Sequence, residues 1–411
     1  MKILQINSVH YRRGGADVVY LNTGKLLEEH GHEVYYFSQK NENNYPASTS
    51  EFFIESTNYF SKTTIQKILS VPRFFYSFEA AKKLENLIKK YQPDIAHIHL
   101  YKADLTPAIL NVLFKNSIPI VITLHDFGFI CPHNLLLDGK MNICDRCVNG
   151  SPLNCIIHKC NRNNLVLSTL SSFEYIFQQT FFPFDKYFDT IIAVSHFSQQ
   201  KHLESKKFNW DIKQLYNFFP DLKLTKPNTF KGNYMLFLGR LSEEKGIETL
   251  IEAWQLSKIK DILKVVGTGE LLEKYKSKYY NNIEFLGFKK GDGLINLIRN
   301  ASFIVIPSEV QENNPLTIVE SYAFGKPVIA SNVGGIPEIV LDNKTGFIFE
   351  MGSVENLSEK IKLAEKINPE EYLQMSQNAR NFAEEHFDED EHYNTLLSIY
   401  KETIDKYKKH K

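Results

Sequence analysis

Ser308-Glu-Val-Gln-Glu-Asn-Asn-Pro-Leu-Thr-Ile-Val-Glu-Ser-Tyr-Ala-Phe-Gly-Lys-Pro327 is the stretch that decides the fold. The residues just before it, 303–307, form an apolar, β-branched run that predicts a buried strand. A helical pattern begins after Pro315 and stops at Gly325, a residue type that commonly ends helices. Strand, loop and helix follow one another here, as in a parallel α/β sheet.

Two carboxylates flank the start of that predicted helix. Glu312 lies in the loop after the strand, and Glu320 lies inside the helix. The loop amides and the helix N-terminus make a site for anions such as phosphate. Because carboxylates can also accept hydrogen bonds from sugar hydroxyls, the arrangement suits a sugar nucleotide.

A second loop carries cations. The predicted strand Met235–Gly239 runs into Arg240, and Lys245 follows just before a second helical pattern. Loops at the carboxyl edge of a parallel sheet bind ligands, and Arg and Lys at this place can hold a diphosphate. The alternative is two solvated cations near a helix start.

Glycines follow a third predicted strand, at Gly267 and Gly269. By itself this spacing is a weak signal and often marks only a tight turn. In register with the other two loops, it would let the backbone approach a nucleotide.

The region from Gly239 to Glu338 resembles the catalytic part of retaining, GT-B-type glycosyltransferases of group 1, family 4, which include glycogen synthases and bacterial mannosyltransferases. The resemblance implies that Glu312 contacts the transferred sugar and Glu320 the ribose, while Arg240 and Lys245 neutralise the leaving diphosphate without a catalytic metal. The donor-binding residues that it implies are Gly239, Gly267, Gly269, Phe288, Asn313, Asn314, Pro315, Leu316 and Glu320. Phe288 would lie at the nucleotide base, or else pack on a helix.

The whole chain alternates between strand-like and helix-like segments, six strands in each half. This predicts an α/β protein with two doubly wound, Rossmann-like parallel sheets, and the resemblance implies that they face a central cleft. We expect an acceptor-binding domain at 1–217 and a donor-binding domain at 230–386. We also expect a final helix at 387–411 that crosses back to the first domain, and an irregular insertion at 40–72.

The first half carries candidate acceptor-side residues. Gly14 and Gly15 follow the first strand and open a helix, so their amides could approach a phosphate or an acceptor. His125 and Asp126 follow another strand and match the family's His-Asp segment, whose His lies near the transferred sugar. His97 and His99 are expected on opposite sides of their strand, so that only one of them lines the cleft.

All five cysteines fall inside a predicted insertion at 128–162. Cys144 and Cys147 have the spacing of a zinc hook, and Cys131 and Cys160 could complete a tetrahedral set. We therefore consider a structural zinc ion, with reduced buried thiols as the alternative.

Composition limits the partners. The chain has 48 basic and 48 acidic residues, so no net field favours nucleic acid. Its longest apolar runs are strand-sized, which predicts a cytoplasmic protein, with peripheral contact at the inner face of the membrane left open.

The predicted activity is transfer of a sugar from a UDP- or GDP-sugar to a saccharide or lipid-linked acceptor, in surface polysaccharide or glycoconjugate biosynthesis. The alternatives are a sugar-nucleotide epimerase or hydrolase of the same fold, or a zinc-containing binding module without catalysis.

Overall fold

A computed structural model describes residues 1–56, 75–102, 104–206, 211–278 and 280–409. It divides into two compact units. The first unit comprises Met1–Val194, Ser198–Leu215 and Asp390–Lys411, and the second comprises Ser195–Phe197 and Tyr216–Glu389. Each unit contains a six-stranded parallel sheet with flanking helices, which confirms the predicted fold class. Much of the insertion predicted at 40–72 lies outside the described residues.

The first sheet has the strand order β2-β1-β3-β4-β5-β6. Its strands are β1 (Lys2–Ile6), β2 (Glu33–Phe37), β3 (Ile95–Ile98), β4 (Ile120–Leu124), β5 (Thr190–Ala193) and β6 (Ile212–Gln214). Among the described residues of this part, the helices are α1 (Gly15–Glu29), α2 (Phe78–Tyr91), α3 (Ala108–Lys115), α4 (Asn154–Ile157), α5 (Leu165–Phe181), α6 (Phe184–Tyr187) and α7 (His196–Leu203).

The second sheet has the order β12-β11-β10-β7-β8-β9. Its strands are β7 (Tyr234–Leu238), β8 (Ile262–Val266), β9 (Ile283–Gly287), β10 (Ile304–Ile306), β11 (Val328–Ser331) and β12 (Gly346–Phe349). The helices of this part are α8 (Ile247–Ser257), α9 (Leu272–Lys276), α10 (Asp292–Arg299), α11 (Leu316–Ala323), α12 (Ile336–Ile339), α13 (Val354–Lys366) and α14 (Pro369–His386).

The last helix, α15 (Glu389–Lys409), packs on the first sheet. Leu396, Ile399 and Tyr400 are buried in the same apolar cluster as Ile3 and Val121 of that sheet. The C-terminal helix thus shares with α1 the covering of one face of the first sheet.

Both sheets have a switch point, where the chain changes the direction in which it adds strands. It lies between β1 and β3 in the first sheet and between β7 and β10 in the second. Loops that leave the carboxyl ends of strands diverge there, and ligands of open α/β sheets bind in the resulting crevice. The Arg240 and Glu312 loops follow β7 and β10, so the sequence motifs meet at the switch point of the second sheet.

At Gly246, the loop after β7 packs closely on the backbone that follows β10. Its φ is +66°, and a Cβ built on it would lie 1.8 Å from the carbonyl oxygen of Pro307. We expect Gly246→Ala to destabilise the protein by roughly 2 kcal/mol or more, since both the backbone and the neighbouring carbonyl would have to move.

Gly293→Ala is the matched control. Gly293 lies in α10, and no atom lies within 4 Å of the position that a Cβ would take, so alanine should be neutral or stabilise by about 0.5–1 kcal/mol. Urea unfolding followed by circular dichroism measures both variants. Equal free energies of unfolding would contradict the close packing at Gly246.

Candidate active site

An ion pair joins the two loops at the second switch point. Lys245 Nζ lies 2.6 Å from Glu312 Oε1, and the Ser308 hydroxyl donates to the same oxygen at 2.7 Å. The Glu312 side chain is 15% exposed and that of Lys245 is 33% exposed. The pair is therefore partly shielded from water yet remains reachable by a ligand.

Arg240 is placed differently from Lys245. Its side chain is 67% exposed, and its guanidinium lies 3.9 Å from the carboxylate of Glu244, which also accepts a hydrogen bond from Ser242. Arg240 is thus more exposed than Lys245, and its role at a diphosphate stays a prediction. Lys245 is bonded to the predicted catalytic carboxylate.

The predicted helix start after Glu312 is confirmed, because α11 begins at Leu316 with Pro315 as its N-cap. Asn314 has a structural role there, because it accepts two hydrogen bonds from Asn217. The backbone amide of Asn217 donates to the Asn314 side-chain oxygen at 2.9 Å, and the Asn217 side-chain amide donates to the Asn314 backbone carbonyl at 3.0 Å. Asn313 is also buried, and Glu320 lies half-buried one turn into the helix.

Two glycines that follow β11 support the Glu312 loop from behind. The Gly335 amide donates to the Glu312 carbonyl at 2.6 Å. A Cβ on Gly334 would lie 2.2 Å from the same carbonyl oxygen, and one on Gly335 would lie 2.1 Å from that of Asn313. No larger residue could occupy these positions without moving the Glu312 loop. The Ser308 hydroxyl and this glycine pair were not among the predicted site residues.

The glycines after β8 serve a similar purpose. A Cβ on Gly267 would lie 1.8 Å from the Gly239 carbonyl oxygen, and one on Gly269 would lie 2.2 Å from that of Leu241. Their first role is thus to let the β8 loop pack on the β7 loop that carries Arg240. We also predicted that these glycines let the backbone approach a nucleotide. The packing of the two loops does not test this, so it stays a prediction.

Phe288 follows the last residue of β9. Its side chain is 68% exposed, so it does not pack on a helix as one interpretation had it. An exposed aromatic ring at the carboxyl end of a strand in this sheet is able to stack on a ligand.

In the first unit, the carboxylate of Asp17 in α1 holds the loop after β1 by hydrogen bonds. Asp17 is buried and accepts hydrogen bonds from the Gly14 amide at 3.1 Å and from Asn7 at 2.9 Å. It is also 3.4 Å from Arg13. The Gly14 amide, predicted to approach a phosphate or acceptor, is thus engaged by Asp17, whereas Gly15 is exposed as the first residue of α1.

The histidines after β3 and β4 form a bonded group. His99 Nδ1 lies 3.0 Å from His125 Nε2, and the rings of His97 and His99 are 4.3 Å apart. The expectation that His97 and His99 lie on opposite sides was wrong, because residues two apart in an extended chain share a face.

The hydrogen-bond partners of this group fix its protonation. Gln5 Oε1 accepts from His99 Nε2 at 3.1 Å, while the Gln5 amide nitrogen donates to the Tyr400 hydroxyl at 3.4 Å. His99 must then accept at Nδ1, so His125 donates from Nε2. A chain of buried groups running from α15 through β1 and β3 therefore sets the tautomer of His125.

Asp126 does not take part in this chain. Its carboxylate accepts from the Gly128 amide at 2.8 Å, a local turn that redirects the backbone after β4. Lys102 donates to the Gly128 carbonyl and to Asn134, each at 3.1 Å, and holds the same turn from the other side. The predicted acceptor-side role of Asp126 is thus accompanied by a structural one.

The five cysteines divide into a buried group and one half-exposed residue. Cys147, Cys155 and Cys160 form a buried cluster, with Cys131 also buried, whereas Cys144 is half-exposed and accepts a hydrogen bond from Arg146 at 3.3 Å. Within the described ranges, no group of three or more His, Cys, Asp or Glu is placed to hold a metal ion. Cys144 thus lies apart from the buried cysteines, and the structural zinc ion on Cys131, Cys144, Cys147 and Cys160 stays a prediction, with reduced thiols as its alternative.

Two family models cover most of the chain. The model described as Glycosyltransferase Family 4 matches residues 13–220, and the model described as Glycosyl transferases group 1 matches residues 223–382. The first of these spans about half of the chain. The chain belongs to the group 1, family 4 glycosyltransferases.

Proteins of similar sequence agree with this assignment. An N-acetyl-alpha-D-glucosaminyl L-malate synthase from Bacillus anthracis is 23% identical over 95% of this glycosyltransferase and 94% of its own length. An uncharacterized glycosyltransferase from Methanocaldococcus jannaschii is 38% identical, but the match covers only 37% of this chain and 43% of the relative.

Among solved structures, HepE from Anabaena, crystallised with UDP, is similar with a TM-score of 0.67 and 17% identity, over 98% of this chain and all of HepE. At this identity the likeness concerns the GT-B fold alone. No helix in the described part of the chain is long and apolar enough to cross a membrane.

Buried histidines make the first unit sensitive to acid. Burial lowers the pKa of His97 to about 3 and the pKa values of His10, His125 and His202 to about 4, and holds the pKa of His99 well below its usual value. In the unfolded chain these histidines titrate near pH 6.5. Between the two values the unfolded chain binds more protons than the folded chain, so folding stability falls as the pH falls.

We therefore expect the free energy of unfolding to decrease steeply between about pH 6.5 and about pH 5, by up to ~1.4 kcal/mol per pH unit for each of these histidines. Urea unfolding at several pH values measures the slope. His97→Gln should make it shallower by the share of one histidine, while a variant with an unchanged slope would show that His97 is not held neutral.

Proposed function

We propose that this glycosyltransferase is a retaining enzyme that moves a sugar from a UDP- or GDP-sugar to a saccharide or lipid-linked saccharide, in the assembly of a surface polysaccharide or glycoconjugate. One observation carries the proposal: the Lys245–Glu312 pair spans the switch point of the second sheet, beside the start of α11. A cation and a carboxylate with different ligand preferences are thereby held within one small site.

The pair suggests how a donor is received. A diphosphate offers Lys245 a more highly charged partner than Glu312, and the exposed Arg240 can add a planar fork of donors. Once Lys245 turns to the phosphates, the Glu312 carboxylate can accept hydrogen bonds from hydroxyls of the sugar. Ser308 keeps that carboxylate in place during the exchange.

The chemistry then follows from charge. As the bond from the sugar to the diphosphate breaks, negative charge grows on the leaving phosphate, where Arg240 and Lys245 stabilise it. The sugar carbon becomes positive, and Glu312 stabilises that charge from nearby. Attack from the same face, with the leaving phosphate accepting the proton of the acceptor hydroxyl, retains the configuration. Positioning and charge neutralisation by side chains supply the catalysis, without a catalytic metal.

The choice of nucleotide rests on different support. Two crystals of HepE contain UDP, one of them together with glucose. These favour a uridine nucleotide over guanosine for the present chain. The exposed Phe288 is our candidate for stacking on the base.

A sugar-nucleotide hydrolase or epimerase of the same fold is the competing function. It would use the same Arg240, Lys245 and Glu312. In a hydrolase water would replace the acceptor, and in an epimerase the product would again be a sugar nucleotide, with the configuration of one sugar carbon inverted. The products separate these functions: a hydrolase releases free sugar at full rate without any acceptor. A zinc-containing binding module receives no support from the cysteine geometry described above.

Donor binding is the first test. We expect UDP-sugars to raise the melting temperature more than GDP- or ADP-sugars, because a ligand at about 100 times its Kd adds ~2.7 kcal/mol of stability. Arg240→Ala should reduce the shift, whereas Arg299→Ala, on α10 of the same unit, should not. A panel with no shift for any nucleotide sugar would refute the proposed donor class.

Turnover tests the carboxylate. Glu312→Gln should lower kcat by about 10²–10³-fold and leave UDP binding nearly intact, because it removes charge at the sugar rather than at the phosphates. Glu309→Gln is the matched control: it lies in the same loop and accepts from Thr249 instead of Lys245. Both are assayed with and without EDTA. Near-normal turnover of Glu312→Gln would contradict the proposed role, and loss of wild-type activity in EDTA would contradict the metal-free mechanism.

A further inference from the structure

The fully buried side chains of helix α5 (Leu165–Phe181) all carry a polar group. Its buried residues are Ser168, Ser172, Tyr175 and Gln178. Its strongly exposed side chains include Val166 at 67%, Phe173 at 54% and Phe181 at 63%. An ordinary surface helix shows the reverse arrangement, with apolar residues facing the core and polar residues facing water.

The inward polar residues are used to hold the cysteine-rich segment. Ser168 accepts from the Asn161 amide at 3.0 Å, and Ser172 donates to the Pro152 carbonyl. Tyr175 donates to the Phe129 carbonyl at 2.8 Å. These bonds explain why the inner face is polar, but they give no reason for an apolar outer face.

The outer face also lacks outward hydrogen-bonding groups. The hydroxyls of Thr169 and Thr180 donate back to carbonyls of their own helix, each at 2.8 Å. Glu174 is the one charged residue of α5, and it is half-buried and accepts from Gln178 at 3.0 Å. A surface whose polar groups are already satisfied within the helix suits hydrocarbon, where an unsatisfied group is costly.

Exposed cations flank the helix. Lys159 and Arg162 lie just before its first residue, and Lys186 lies shortly after its last. Within residues 159–186 the one exposed carboxylate is that of Asp185. The neighbouring α4 adds another strongly exposed apolar side chain, Ile157 at 70%. A helix with exposed apolar side chains and exposed basic residues near both of its ends suits the interface of an anionic bilayer, where acyl chains receive the apolar side chains and phosphates attract the cations.

We propose that the outer face of α5, formed by Val166, Phe173 and Phe181 with Ile157 beside it, is the surface by which this glycosyltransferase lies on an anionic lipid bilayer. Lys159, Arg162 and Lys186 contact the headgroups. The helix lies in the plane of the interface and does not cross it. The inference concerns where the protein binds lipid and does not depend on the identity of the sugar donor.

Co-sedimentation with vesicles tests it. The full chain should sediment with vesicles of phosphatidylcholine mixed with phosphatidylglycerol, and much less with phosphatidylcholine alone. Val166→Ser combined with Phe173→Ser should weaken binding to the mixed vesicles by at least about ten-fold, since two apolar side chains no longer enter the bilayer. Lys159→Gln combined with Arg162→Gln should weaken binding mainly at low salt.

The matched control is Leu224→Ser combined with Phe230→Ser, two side chains of the second unit that are 80% and 82% exposed. This variant should bind the mixed vesicles as the wild type does. Circular dichroism and melting temperature establish that each variant is folded. The proposal is overturned if the wild type does not sediment with mixed vesicles, or if the α5 variant binds as well as the control.

The remaining possibility is that the outer face of α5 binds a second copy of the chain instead of lipid. Sedimentation velocity of the wild type and the α5 variant, without lipid, shows whether the same face joins two copies of the chain. A dimer that the α5 substitutions dissociate would overturn lipid as the occupant. Because both measurements read binding rather than transfer, failure here leaves the proposed donor chemistry standing, and failure of donor binding leaves this surface standing.

Discussion

Both sheets of this glycosyltransferase are parallel throughout, and the rest of the structure depends on this constraint. Parallel strands need covering on both faces, so most of their residues are apolar, and each connection must include a crossover. The same connectivity delivers the carboxyl ends of all six strands of a sheet to one edge. Residues far apart in sequence, such as Lys245 and Glu312, then come within hydrogen-bond distance without any special device.

Glycines make that convergence tight enough to form a site. At Gly246, Gly267 and Gly334, a Cβ would collide with a backbone carbonyl of a neighbouring loop. The three loops after β7, β8 and β10, with the turn after β11, are thereby packed backbone to backbone. Their side chains are held in place by this packing, which is what a site that acts through preorganised charge requires.

In the first unit, a network of buried polar groups holds a predicted site residue in place. Gln5, His97, His99 and Tyr400 are linked by hydrogen bonds next to His125, and they join β1 and β3 to the C-terminal helix. Each of these bonds satisfies a group that would be costly to bury alone. The result links the orientation of a predicted site residue to the docking of the last helix. Because burial keeps the histidines neutral, this arrangement holds best near neutral pH and above.

Local patterns determined much of this protein. The six-plus-six strands could be located from apolar β-branched runs, and the start of α11 from Pro315, because secondary structure depends on neighbours in sequence. The same is true of Arg240, Lys245 and Glu312, whose positions after strands follow from local pattern. Only the tertiary structure decided that Lys245 pairs with Glu312, that Asn314 bonds Asn217, that Cys155 replaces Cys144 in the thiol cluster, and that α5 turns its serines inward. These depend on which loops and helices meet in space, and contacts between distant segments leave no periodic mark in the sequence.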